Sequence, residues 1–215
     1  KTEPYSYTKT LLNSIGGNSW KVLGDWIEWE FEVPEDGYYN ISMRAKQNMV
    51  RGMYSSRIVY VDGEVLFDEL NDVQFSYENK WQNVTLGDED GDFIFFFKKG
   101  EKHTIRMEVT LGQYSVLIER LQEMVNKLNT VYREIISYTT VKPDANRDYQ
   151  LHERFPLLKA QLQEYSDELE AISNSIADIS DGKSDKTGVI DSVVIQLDDF
   201  LKDNLRNIPS RLNTF

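Results

Sequence analysis

The spacing of apolar residues changes near residue 112, and this change limits the possible folds more than any other feature of the chain. Before it, apolar side chains recur at every second position, the period of a half-buried strand. After it, they recur at steps of three and four for almost a hundred residues, the period of a helix. All four tryptophans lie on the first side. At 215 residues the chain is long enough for two domains. The expectation is a β domain over residues 1–112 and a helical domain over 113–215.

The clearest strand runs from Trp26 to Val33. Ile27, Trp29, Phe31 and Val33 alternate with Trp26, Glu28, Glu30 and Glu32, so one face is apolar and the other carries three carboxylates. The apolar phase assigns Trp29 to the core; Trp26 is expected to pack under a loop or against the helices. Pro34-Glu35-Asp36-Gly37 has turn chemistry, Pro fixing φ and Gly permitting positive φ. Tyr39, Ile41, Met43 and Ala45 mark a second strand, and Gln47 to Tyr54 reads as a loop. A third strand, Arg57 to Val61, ends at Asp62-Gly63, a hairpin signal with a return over Glu64 to Asp68. Further strands are expected over Trp81–Leu86, Phe93–Phe97 and the stretch holding Ile105, Met107, Val109 and Leu111. Short strands at this spacing point to an antiparallel sandwich or jelly roll.

Charge and composition exclude several functions. The net charge is −12, with 12 basic against 19 acidic residues in 1–112 and 12 against 17 in 113–215. Acidity is spread over both halves, and no basic stripe exists to follow a phosphate backbone, so nucleic acid is not an expected partner. An anionic membrane surface would repel such a chain, and no apolar run approaches 18 residues, so no membrane insertion is expected. Cysteine is absent, which removes disulfides, thiolate metal sites and cysteine nucleophiles. The start at Lys1 suggests a piece of a larger protein. No Gly-x-Ser-x-Gly, Walker or dinucleotide glycine pattern occurs, and no pair of carboxylates stands out for glycoside hydrolysis; the expectation is that the chain is not an enzyme.

The runs GDWIEWEFEVPEDGYYNISMRAK, RIVYVDGEVLF and KKGEKHTIRMEV resemble the galactose-binding-like jelly roll of carbohydrate-binding modules, families 6 and 35 especially. The resemblance covers roughly residues 15–111, and its matching positions are mostly core and turn residues. A narrower similarity is to the jelly-roll segments inside extracellular solute-binding lipoproteins of ABC transporters from Firmicutes. There, a strand ending EVTLG leads into helices containing a stretch like NRDYQLHERFP; both are present here. The resemblance implies a noncatalytic extracellular module, held at the cell surface through its parent protein, with a glycan and the remaining domains of that protein as partners. It also implies that the helices are an insertion before a closing strand that lies beyond Phe215.

Sugars are bound by aromatic faces together with planar polar side chains, in the resembled modules commonly at one loop end of the sandwich. The corresponding positions here are Asn48, Arg51 and Tyr54 after the second strand and Trp81 at the next loop-to-strand junction, with Trp20 flanking them. Each has a structural alternative: Trp81 as a strand-edge core residue, Asn48 and Arg51 as residues that fix the loop. No cofactor is expected. Gly87 to Asp92 is acidic but misses the EF-hand spacing. The resemblance implies a structural calcium with Glu3 as one ligand, but its second ligand would sit on the missing strand; no metal is assigned. His103 and His152 lie in different halves without His or Cys neighbours, and His103 is expected in a turn or at the surface.

In the helical half, Leu117, Leu121, Met124, Leu128, Val131, Ile135 and Tyr138 step by four and three. Leu151 to Ile179 and Ile190 to Phe200 continue that step. Three such segments predict an antiparallel three-helix bundle. Pro156 falls inside the second pattern, so the helix either begins there or kinks; Gly182 suits a C-cap. The overall reading is a sandwich followed by a bundle, binding a glycan or, alternatively, serving only as a spacer or docking module.

Overall fold

The computed structural model describes residues 14–16, 20–144, 147–180, 186–202 and 204–214. The chain divides into two compact units: residues 1–48 with 54–112, and residues 49–53 with 113–215.

The first unit is built from short antiparallel strands: β1 (Trp26–Phe31), β2 (Gly37–Tyr39), β3 (Ser42–Ala45), β4 (Tyr54–Val61), β5 (Val73–Ser76), β6 (Gln82–Thr85), β7 (Gly87–Asp88), β8 (Gly91–Asp92), β9 (Phe95–Phe97) and β10 (His103–Thr110). One sheet has the order β1-β10-β4-β5, and the ladders β2-β9 and β3-β6 run beside it. Val59, Val61, Phe75 and Met107 from the four-stranded sheet share a core with Phe95 and Phe97 from β9 and with Ile41 and Leu86, which adjoin the β3-β6 ladder. The four-stranded sheet and these two antiparallel ladders therefore share one core. Burial follows the alternation in β10, where His103, Met107 and Val109 are buried and the residues between are not.

Four expectations for this unit need correction. Trp29 has the inward phase, yet it is 42% exposed. It sits on β1, the edge of its sheet, where alternation fixes the direction of a side chain but not what covers it. His103 is buried, because the rings of Phe31 and Phe97 flank it and Asp62 bonds its Nδ1 at 2.8 Å. The return strand over Glu64–Asp68 does not form. A single bridge joins Val61 to Glu64, a 3-10 turn at Asp68–Asn71 buries Leu70 completely, and the strand that pairs with β4 is β5. Trp26, at 55% exposure, is not packed under a loop. No strand follows β10 among the described residues.

The second unit contains α1 (Tyr114–Thr139), α2 (Leu151–Arg154), α3 (Leu158–Ile179) and α4 (Thr187–Lys202). Three long helices stand where the heptads placed them. The second heptad is split: Pro156 separates the one-turn α2 from α3, because its ring and missing N–H cannot be accommodated inside a helix. Leu162, Ile172, Leu197 and Phe200 are at most 2% exposed and form the seam between α3 and α4. Polar pairs fix its register: Ser166 to Asp198 at 2.8 Å, Ser173 to Asp191 at 2.6 Å, and between α1 and α3 Arg120 to Glu168 at 2.8 Å. Gly182 and Glu3 lie outside the described residues. No described helix is long and apolar enough to cross a membrane.

Candidate functional site

Strand pairing brings the loop-end residues to one end of the β unit. Tyr54 opposes Ser76, Ser56 opposes Thr110, Trp26 opposes Glu108, and Ala45 opposes Gln82. The starts of β1, β4 and β6 and the ends of β3, β5 and β10 therefore share that end. Asn48, Tyr54 and Trp81 belong to it, as does the Trp20 segment, whose Trp20 Nε1 donates to the carbonyl of Asp25 just before β1.

Trp81 is 38% exposed. The Lys46 ammonium stands 5.6 Å from its ring centroid, within range of a cation–π attraction. The rim around it is fixed by backbone and Asx-like bonds. Glu78 N–H donates to the Gln47 carbonyl at 2.7 Å, Glu78 Oε1 accepts from the N–H groups of Asn79 and Lys80, and Tyr77 Oη donates to Asn79 Oδ1 at 3.1 Å. Asn48 is exposed one residue beyond Gln47, which bridges to Tyr77. This corner presents an indole face, amides and an ammonium to solvent, the chemistry that recognises a polyol.

Trp20 is placed differently. It is half-buried against the core, Arg57 caps its ring at 4.3 Å, and Trp29 meets it edge-on at 6.5 Å. Burial lowers the pKa of the Arg57 guanidinium, and its Nε has no hydrogen-bond partner. Trp20 thus works mainly as a plug over the inner face. Arg51 is exposed, and its segment, residues 49–53, groups with the helical unit. Tyr54 opens β4 and is half-buried.

A second polar–aromatic cluster was not evident in the sequence. On the outer face of the four-stranded sheet the Arg106 guanidinium lies 4.7 Å from the Trp26 ring centroid and 5.0 Å from that of Tyr60, and it donates to Glu108 at 2.6 Å. The signal was available: Trp26, Tyr60 and Arg106 all have the outward phase, but their pairing depends on the register of three strands distant in sequence. The acidic turn folds as the small β7–β8 hairpin, with Asp88 Oδ1 accepting from the N–H groups of Asp90 and Gly91. Among the described residues no group of three or more His, Asp or Glu side chains is arranged to hold a metal ion.

Residues 116–215, just under half of the chain, match the family model described as bacterial solute-binding protein, 4-helix bundle domain. The match takes in α2, α3, α4 and all of α1 except its first two residues. No curated protein matches the chain.

Proposed function

We propose that this chain is a noncatalytic glycan-capturing module of an extracellular bacterial solute-binding protein, held at the cell surface through the rest of that protein. The family match of the helical half supports the solute-binding context. The observation that carries the glycan reading is the exposed Trp81 at the loop rim, with Lys46 over its ring and amides beside it. A buried tryptophan would serve packing alone, whereas an indole held open at a rim stacks on the C–H face of a sugar while neighbouring planar groups read its hydroxyls. The half-buried, Arg57-capped Trp20 favours a structural role at that position. The residues assigned to ligand contact are therefore Trp81, Asn48 and Tyr54, with Arg51 and Trp20 at the periphery.

Capture of this kind is weak and reversible, with dissociation constants between about 1 mM and 1 μM, or roughly −4 to −8 kcal/mol. Titration of the chain with a glycan panel, with and without Ca²⁺, tests the reading. At least one glycan is expected to bind, and Trp81→Ala to weaken it about tenfold or more, roughly 1.4 kcal/mol. Absence of binding at millimolar glycan overturns the proposal.

A further inference from the structure

The ladder layer of the β unit carries an outward face with an unusual composition. Along β2 and β3, Tyr39, Ile41, Met43 and Ala45 turn toward the core, which leaves Tyr38, Asn40, Ser42 and Arg44 outward and exposed. The partner strands place Phe96 opposite Tyr38 and Asn83 opposite Arg44. Tyr38 and Phe96 are 76% and 52% exposed, and their rings meet at 5.3 Å in a T-shaped pair. Trp81 follows the phase of Asn83, and the Lys46 above its ring follows the phase of Arg44, so the loop corner and this face are one continuous strip.

Aromatic rings stand at both ends of the strip, and amides, hydroxyls and a guanidinium lie between. Several of these polar groups are held in place: Asn40 Nδ2 donates to the Phe93 carbonyl at 3.0 Å, and Ser42 Oγ lies 2.8 Å from Thr85 Oγ1. The segments 37–45, 82–87 and 93–98 that build the layer contain no Asp or Glu. With 36 acidic residues in 215, three or four would fall in 21 residues on average. By contrast, the outer face of the other sheet carries Glu28, Glu30 and Glu108.

From this juxtaposition we infer that the strip binds an extended polysaccharide chain, anchored on Trp81 at one end and on Tyr38 and Phe96 at the other. The eight steps from Tyr38 to Lys46 span about 26 Å at roughly 3.3 Å per residue, far longer than one sugar. A protein partner fits the strip less well, because interface cores are apolar and this one is mainly amide and hydroxyl between its ends. The absence of carboxylates admits both neutral and acidic glycans.

The inference rests on the glycan reading above and deepens it by fixing the ligand as a polymer. Its test compares short and long oligosaccharides of one series, from disaccharide to hexasaccharide, with soluble neutral polysaccharide and polygalacturonate as separate arms. Calorimetric titration of the chain is expected to show affinity rising about tenfold with length. Tyr38→Ala/Phe96→Ala is expected to remove that gain while leaving disaccharide binding unchanged. Trp81→Ala is expected to weaken every length. Binding that does not depend on length, or a double variant that keeps the gain, overturns the extended site and leaves the loop-end reading standing. Absence of binding to any glycan overturns both.

Discussion

His103 links four segments of the β unit through one ring. Its Nδ1 lies 2.8 Å from Asp62 Oδ2, and Asp62 Oδ1 accepts the N–H of Thr104 at 2.7 Å. Its Nε2 is within reach of both the N–H and the carbonyl of Lys98, at 3.2 and 3.1 Å, so the neutral ring accepts there and the charged ring donates. The hydrogen bond that His103 donates to Asp62 raises the pKa of His103 above its ordinary value; desolvation opposes the shift, and the Lys98 carbonyl and Glu101 reinforce it. A raised folded-state pKa means that this contribution to stability is fully present below the unfolded value of about 6.5, and is lost as pH rises through the folded one. Urea unfolding followed by tryptophan fluorescence should therefore show the β unit weakening as pH rises above about 6.5. His103→Gln, which cannot take up the proton, should flatten that slope. An unchanged slope would mean that the Asp62 contact does not favour the charged ring.

At the scale of elements, the helical seam is held by burial and its register by hydrogen bonds. Ile172 is fully buried, and Ile172→Ala is expected to cost about 2–5 kcal/mol, from lost transfer energy and a residual cavity. Ser173→Ala, next to it, removes only the bond to Asp191 and should cost about 1 kcal/mol. Chemical denaturation followed by helical circular dichroism separates the two, and equal losses would show that the polar pair matters as much as the packing. These helices were legible in the sequence because a heptad repeats its buried face many times, so each position supports the next. Even the break at Pro156 was one of two options that the residue itself allowed. The β unit was less legible. In Phe93 to Phe97 every residue is apolar, so alternation could not show that Phe96 faces outward while Phe95 and Phe97 are buried. The packing of His103 depends on Asp62, 41 residues away, and no local pattern reports that distance. The loop end could be located by residue type, since Tyr54 opens a strand paired with the end of β5 and Trp81 just precedes a strand paired with the end of β3.

At the scale of the whole chain, each unit has its own set of fully buried residues: Val59, Leu70, Leu86 and Phe97 in one, and Leu162, Ile172, Leu197 and Phe200 in the other. A separate core supports a separate cooperative transition, so one free energy of unfolding does not describe the chain. The distribution of residues supplies two independent probes. All four tryptophans belong to the β unit, whereas the long helices all belong to the other. Tryptophan emission thus follows the first unit, and far-ultraviolet helical dichroism follows mainly the second. Thermal unfolding monitored by both is expected to give different midpoints. Ile172→Ala should lower the dichroism midpoint and leave the fluorescence midpoint in place, and His103→Gln above pH 5 and below pH 6.5, where the native ring is charged, should do the reverse. If both probes moved together in each variant, the two cores would unfold as one cooperative unit. The change of apolar period at residue 112 would then mark a change of secondary structure inside a single folding domain.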